Sequence, residues 1–187
     1  MRSFDYSYLS LRTWDNEILS YVAKIHEYKG KQELYLRQKP VELERLVEVA
    51  KVQSTESSNR IEGIITTRSR LQQLVEDKTT PRNRDEKEIL GYRNVLNLIH
   101  ENYEYIPFRS NYILQLHRDL LQYTELTYGG KYKAISNEID AVLPNGEKRI
   151  LFKPLEPYET PGAIEQICDS YQRTLEQEIV DPLILIP

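Results

Sequence analysis

Apolar residues recur at helical spacing along most of this chain, and polar breaks divide it into segments. Trp14, Ile18, Tyr21, Val22 and Ile25 fall three and four apart and predict a helix over 14–37. Gly30 interrupts or bends it, and Pro40 starts a new segment. Leu43, Leu46, Val47 and Ala50 share one face of a second helix, 41–61. Its polar run Ser54-Thr55-Glu56-Ser57-Ser58-Asn59 sits poorly in a helix interior, because such side chains compete for the backbone and favour caps. A helix that keeps such a run marks a place to look for function. After Gly63 the chain turns. Residues 67–75 predict a short helix, and Thr79-Thr80-Pro81 predicts a loop over 77–83. Ile89, Tyr92, Leu96, Ile99 and Tyr103 form a narrow stripe on the clearest helix, 84–103. Beyond Pro107, Ser110 is placed to cap a helix carrying Ile113, Leu116, Leu120 and Leu121.

Past Gly129-Gly130 the period changes to two. Segments 134–143 and 147–153 alternate, with Ile135, Asn137, Ile139, Ala141 and Leu143 in the first. Asn145-Gly146 between them predicts a β-hairpin closed by a type I′ turn. Pro154, Pro157 and Pro161 stiffen the next loop. Thr160 is placed to cap a helix with Ile164, Ile167, Tyr171 and Leu175. Asp181-Pro182 opens a last helix whose front is Leu183, Ile184, Leu185 and Ile186. The sequence ends at Pro187, and an apolar helix start with no helix behind it predicts a cut. The expected class is mainly α with one β-hairpin. There are no internal repeats.

Composition narrows the function classes. The 187 residues include 40% hydrophobic and 29% charged residues, an ordered and soluble balance. Twenty-five basic and 29 acidic residues give a net charge of −4, so a nucleic-acid partner is not expected. No apolar run approaches the ~18 residues that span a bilayer, and no signal peptide opens the chain, so no membrane partner is expected. Cys168 is the one cysteine, which excludes an internal disulfide and points to the cytoplasm. Fourteen tyrosines against three phenylalanines suit grooves and interfaces, or an ordinary helical surface. A homo-oligomer is compatible with that content.

Most sites of familiar chemistry are missing. The seven glycines are scattered and form no phosphate-binding loop. His26, His100 and His117 belong to no HExxH, and each reads as a surface or core residue; His117 reads as packing with one hydrogen-bonded nitrogen. The sharp feature is Ser57-Ser58-Asn59-Arg60-Ile61-Glu62-Gly63-Ile64. Ser58 and Glu62 are four apart, hence on one helix face, and Gly63 follows where a helix ends easily. A carboxylate presented there can pair with an arginine; the same residues also read as a plain helix end with a capping glycine.

This segment resembles the inhibition motif (S/T)xxxE(G/N) of the Fic family, and the wider stretch from Ser54 to Ile64 resembles the form in which that helix precedes the Fic core in the same chain. Further matches follow in family order. Leu116-His117-Arg118-Asp119-Leu120-Leu121 resembles the LHxxL helix. Gly130-Lys131-Tyr132-Lys133 resembles the PGxYR element, with Gly129 and Lys133 in place of proline and arginine. The hairpin occupies the place of the flap, Phe152 to Pro161 that of the Pro-rich stretch, and Asp181-Pro182-Leu183-Ile184 the start of the helix before the active-site loop. The resemblance covers about Val41 to Pro187. The family signature HxFx(D/E)GNGRxxR is absent, so no residue of this chain takes a catalytic role.

The resemblance implies an N-terminal helical region, 1–80, with an inhibitory helix at about 50–63. It implies an incomplete Fic domain, 81–187, with a flap at about 134–153, making a Fic-like helical bundle. The complete protein would transfer AMP from ATP, with Mg²⁺, to hydroxyl side chains of target proteins; this portion would bind neither well. Glu62 would salt-bridge the second arginine of the signature, Ser58 would anchor the inhibitory helix, and Gly63 would end it. The flap, with Asn137, Ile139, Asn145 and Gly146, would pair with an extended target segment by β-augmentation, or serve only as a structural ribbon. The alternative is a non-catalytic binding module, or an inhibitor acting in trans on a separate Fic chain.

Overall fold

The structure, a computed structural model, describes residues 5–185. The expected apolar helix front at Ile186 and the end at Pro187 lie outside the described residues. The described chain is mainly helical, with seven α-helices and one two-stranded antiparallel sheet. None of these helices is long and apolar enough to cross a membrane.

After a 3-10 turn at Ser7–Leu11 come α1 (Asn16–Gln38) and α2 (Pro40–Ile61). Asp15 caps α1 by accepting the Ile18 N–H at 2.8 Å. The helix runs through Gly30 without a break, since one interior glycine costs only about 1 kcal/mol relative to alanine. It stops at Lys39, because Pro40 lacks an N–H and instead starts α2. The polar run 54–59 stays helical. Thr55 and Asn59 turn inward, and the Asn59 amide donates to the Thr55 carbonyl at 2.8 Å.

Next come α3 (Arg68–Val75), α4 (Arg84–Asn102) and α5 (Ser110–Leu120). The hydroxyl of Thr67 caps α3 and the amide oxygen of Asn83 caps α4. Leu71, Leu74, Val75 and Ile89 form one core cluster, with Val52 and Ile64 packed against it. Beneath it, buried Arg93 donates to the Leu74 carbonyl and to Asp77, both at 2.8 Å. The predicted stripe is buried at Ile89 but fades toward Tyr103, which is exposed; Asn102 leaves helical geometry at φ −134° and ends α4 first. Ser110 does not cap α5: it is already the first helical residue, and no side chain caps that end. Gly91 lets α4 and α5 cross closely, since a Cβ there would lie 1.9 Å from the Leu120 carbonyl oxygen.

The sheet pairs β1 (Ile139–Val142) with β2 (Lys148–Phe152), Ile139 opposite Phe152 and Val142 opposite Lys148. The first strand is shorter than its alternation predicts. Residues before it bond elsewhere: Ser136 to Glu156, and Asn137 to the Lys133 ammonium. The turn is not type I′, because only Gly146 has positive φ, +82°, and Asn145 does not. Proline at 144 cannot donate to the ladder, so pairing closes one residue earlier, with the Leu143 N–H on the Glu147 carbonyl at 2.9 Å. The result is a three-residue loop, Pro144-Asn145-Gly146, with glycine in the left-handed position.

Last come α6 (Thr160–Glu176) and α7 (Pro182–Leu185). Thr160 does not cap α6; it is the first helical residue and its hydroxyl donates back to the Glu156 carbonyl at 3.0 Å. Asp181 does start α7, accepting the Leu183 N–H at 2.9 Å. A second core cluster joins Leu9 to Val180 and Leu185, flanked by Tyr6, Trp14, Tyr171 and Ile184.

Candidate functional site

The end of α2 is fixed by backbone geometry. Glu62 is its last, capping residue; the Gly63 N–H donates to the Arg60 carbonyl at 3.1 Å and the Ile64 N–H to the Asn59 carbonyl at 2.9 Å. This is a Schellman closure, which needs a residue at positive φ after the cap, and Gly63 supplies it at +77°. Ile64 then packs against the first core cluster. The position of Glu62 is thereby tied to the core by the residue two beyond it.

Ser58, one turn earlier, accepts a 2.8 Å hydrogen bond from the Tyr92 hydroxyl of α4. Ser58, Asn59, Glu62 and Ile64 form one wall of a cleft of about 380 Å³; Glu88 and Tyr92 of α4, with Leu120 and Leu121 at the end of α5, form the rest. The cleft joins α2 to the helix that carries Leu116 and His117. Its lining combines apolar Ile64, Leu120 and Leu121 with two carboxylates, exposed Glu62 standing at the lip. Glu88 is paired with Arg84 at 2.8 Å. Glu62 is exposed, and its carboxylate has no hydrogen bond or ion pair with any described residue. Such a lip suits a cation with an apolar stem, and an arginine has that shape.

Ser58 and Glu62 both line this cleft, and Gly63 closes the helix end beside them. The hairpin residues are not part of this cleft. Asn137 precedes β1, Ile139 opens it, and Asn145 and Gly146 form the tip. Ile139, Val142, Ile150, Leu151 and Phe152 are all exposed there. Tyr92 and Leu121, expected only as helix-face residues, and Glu88, which no pattern marks, complete the cleft. The one available signal was chemical: a tyrosine in the middle of an apolar stripe needs a partner for its hydroxyl.

The remaining reactive side chains have structural surroundings. His117 has no hydrogen bond to a described residue, contrary to expectation; its ring lies against Tyr128, centroids 6.2 Å apart. His26 meets Asp181 at 2.7 Å. Cys168 is buried, and burial pushes its thiol above the ordinary range, away from the reactive thiolate. Among the described residues no three His, Cys, Asp or Glu side chains converge to hold a metal ion. No family model matches the chain, and no curated protein matches it.

Proposed function

We infer that this chain is the regulatory and target-docking portion of a Fic-type protein that transfers AMP from ATP to hydroxyl groups of target proteins. The observation that carries the reading is the geometry of Glu62: an unpaired carboxylate, on a rigidly closed helix end, at the lip of a cleft built partly from the Leu116–Leu121 helix. Bound ATP would supply the AMP group, and Mg²⁺ would neutralise its triphosphate. Both would be held by the signature HxFx(D/E)GNGRxxR, which the described residues lack. No step of the transfer is assigned to them.

Their part is the brake. The Glu62 carboxylate would accept the guanidinium of the signature's second arginine and hold it away from the nucleotide's terminal phosphate. One charge-assisted hydrogen bond is worth about 1.5–3 kcal/mol, which is one to two decades in an equilibrium. Ser58, held by Tyr92, keeps the helix end seated while that happens. The hairpin's exposed strands would receive an extended segment of the target.

The test uses the polypeptide encoded by the complete reading frame, with labelled ATP. Glu62→Gly is expected to raise protein labelling by about 10–100-fold over wild type. Labelling that is equal in the two removes the brake. The exposed apolar hairpin also favours a second reading, a docking module or in-trans inhibitor with no chemistry. A frame that encodes HxFx(D/E)GNGR beyond the Pro187 codon selects the first reading, and an immediate stop selects the second.

A further inference from the structure

α1 carries an apolar seam that, beyond half-buried Ile18, the other described residues leave largely uncovered. Ile18, Tyr21, Ile25, Tyr28, Gln32 and Tyr35 follow one another at intervals of three, four, three, four and three, which is the a/d spacing of a heptad. The stripe runs along roughly 26 Å of helix. Tyr21, Ile25, Tyr28 and Tyr35 are 54%, 49%, 63% and 48% exposed. No described residue of α1 is buried. The helix meets the body on another side: His26, which bonds to Asp181, lies about 130° around the axis from the seam's centre. Gly30 falls at the outermost position of the heptad, where the seam does not need a side chain.

The charges beside the seam say what can cover it. Lys24 and Lys31 flank it on one side, following Glu17, and Lys29 flanks it on the other between Val22 and Leu36. Lys24 and Lys29 have no ion pair with any described residue, while Lys31 bonds to Glu27. A second copy fits poorly. Parallel pairing sets Lys24 against the other copy's Lys29, and antiparallel pairing sets it against Lys31. A helix with carboxylates at these flanking positions meets three ammonium groups instead. Gln32, polar at a core position, would fix the register of such a pair.

We propose that α1 is a docking face for one amphipathic helix of another protein, apolar at its a and d positions and acidic beside them. The probe is a fluorescent three-heptad peptide with leucine and isoleucine at a and d and glutamate at e and g, titrated with the full chain at low salt. Its twin carries lysine at e and g. The acidic peptide is expected to bind at least about tenfold tighter than the twin, with the gap narrowing at high salt. Ile25→Asp should abolish binding while circular dichroism shows the fold retained. A Lys24→Glu, Lys29→Glu variant should invert the preference, which a merely structural role for these lysines would not do. Equal binding of both peptides, or none, overturns the proposal. So does a dimer in sedimentation that Ile25→Asp dissolves, which would make a second copy the occupant. Retention on vesicles of phosphatidylcholine and phosphatidylglycerol, lost in Ile25→Asp, would make it a membrane instead.

Discussion

Glu86 is an acid with only 5% of its surface exposed, and its neighbours explain how it stays charged. Arg70 grips both carboxylate oxygens at 2.9 Å, and the Arg82 N–H donates to one of them at 2.7 Å. Arg70 also holds the Thr79 hydroxyl and the Thr80 carbonyl, so one fork ties α3, the 76–83 loop and α4 together. The Arg70 hydrogen bonds hold the Glu86 carboxyl below the usual carboxylate range, against the opposing effect of burial. A folded-state value below the unfolded one stabilises the fold fully above the unfolded value, about 4.3, and is lost as pH falls through the folded value. Glu86→Gln should therefore lower the unfolding free energy at pH 7 by about 3 kcal/mol, as expected when one partner of a buried pair is removed. Urea unfolding at pH 7, 5 and 3 checks it. The gap between wild type and variant should narrow toward pH 3, and a gap that ignores pH removes the ion pair from the account. None of this was legible in the sequence. Arg70 and Glu86 lie sixteen apart on different helices, and no local period links them. Ser58 and Glu62 were legible because four residues on one helix is a local relation.

Among the elements, two glycines separate what a helix needs from what a helix pair needs. A methyl group at Gly30 in α1 would meet no atom within 4 Å, so Gly30→Ala should stabilise by about 0.5–1 kcal/mol through helix propensity alone. At Gly91 in α4 the same methyl would lie 1.9 Å from the Leu120 backbone oxygen. Backbone cannot swing aside as a side chain can, so α4 and α5 must separate, at an overpacking cost of about 1–3 kcal/mol that outweighs the propensity gain. Paired denaturant titrations of the two variants should give shifts of opposite sign. Destabilisation by Gly30→Ala, or none by Gly91→Ala, overturns this reading of the crossing. The difference matters to the site, because Leu120 and Leu121 line the cleft opposite Glu62. The helices themselves were legible from their periods. What escaped was decided by neighbours: Pro144 moved the hairpin closure and changed the turn, and Ser136 and Asn137 left the strand for other partners. Ser110 and Thr160 were one position too far in to cap, since a cap must stand outside helical geometry.

Across the whole molecule, burial is uneven, and stability should follow it. One cluster sits between α3 and α4, and the other binds the first described residues to the last, with the Tyr6 N–H on the Ser170 hydroxyl at 2.9 Å. No window of sequence could reveal that second cluster, because its members are separated by most of the chain. α1 belongs to neither, although it is 23 residues long and its period was plain to read. An isolated helix of that length is held only weakly by its own hydrogen bonds, and most helical stability comes from a packed face. Hydrogen exchange under native conditions should therefore rank the amides sharply. Those around Leu74 and Ile89 should open only with global unfolding, and those between Ile18 and Leu36 should open at least about 2 kcal/mol more easily. Equal protection in α1 and α4 would mean that the seam is already covered, and the docking face would fall with that result. If the ranking holds, adding the acidic helical peptide should slow exchange in α1 selectively, because covering the seam supplies the burial that the chain itself withholds.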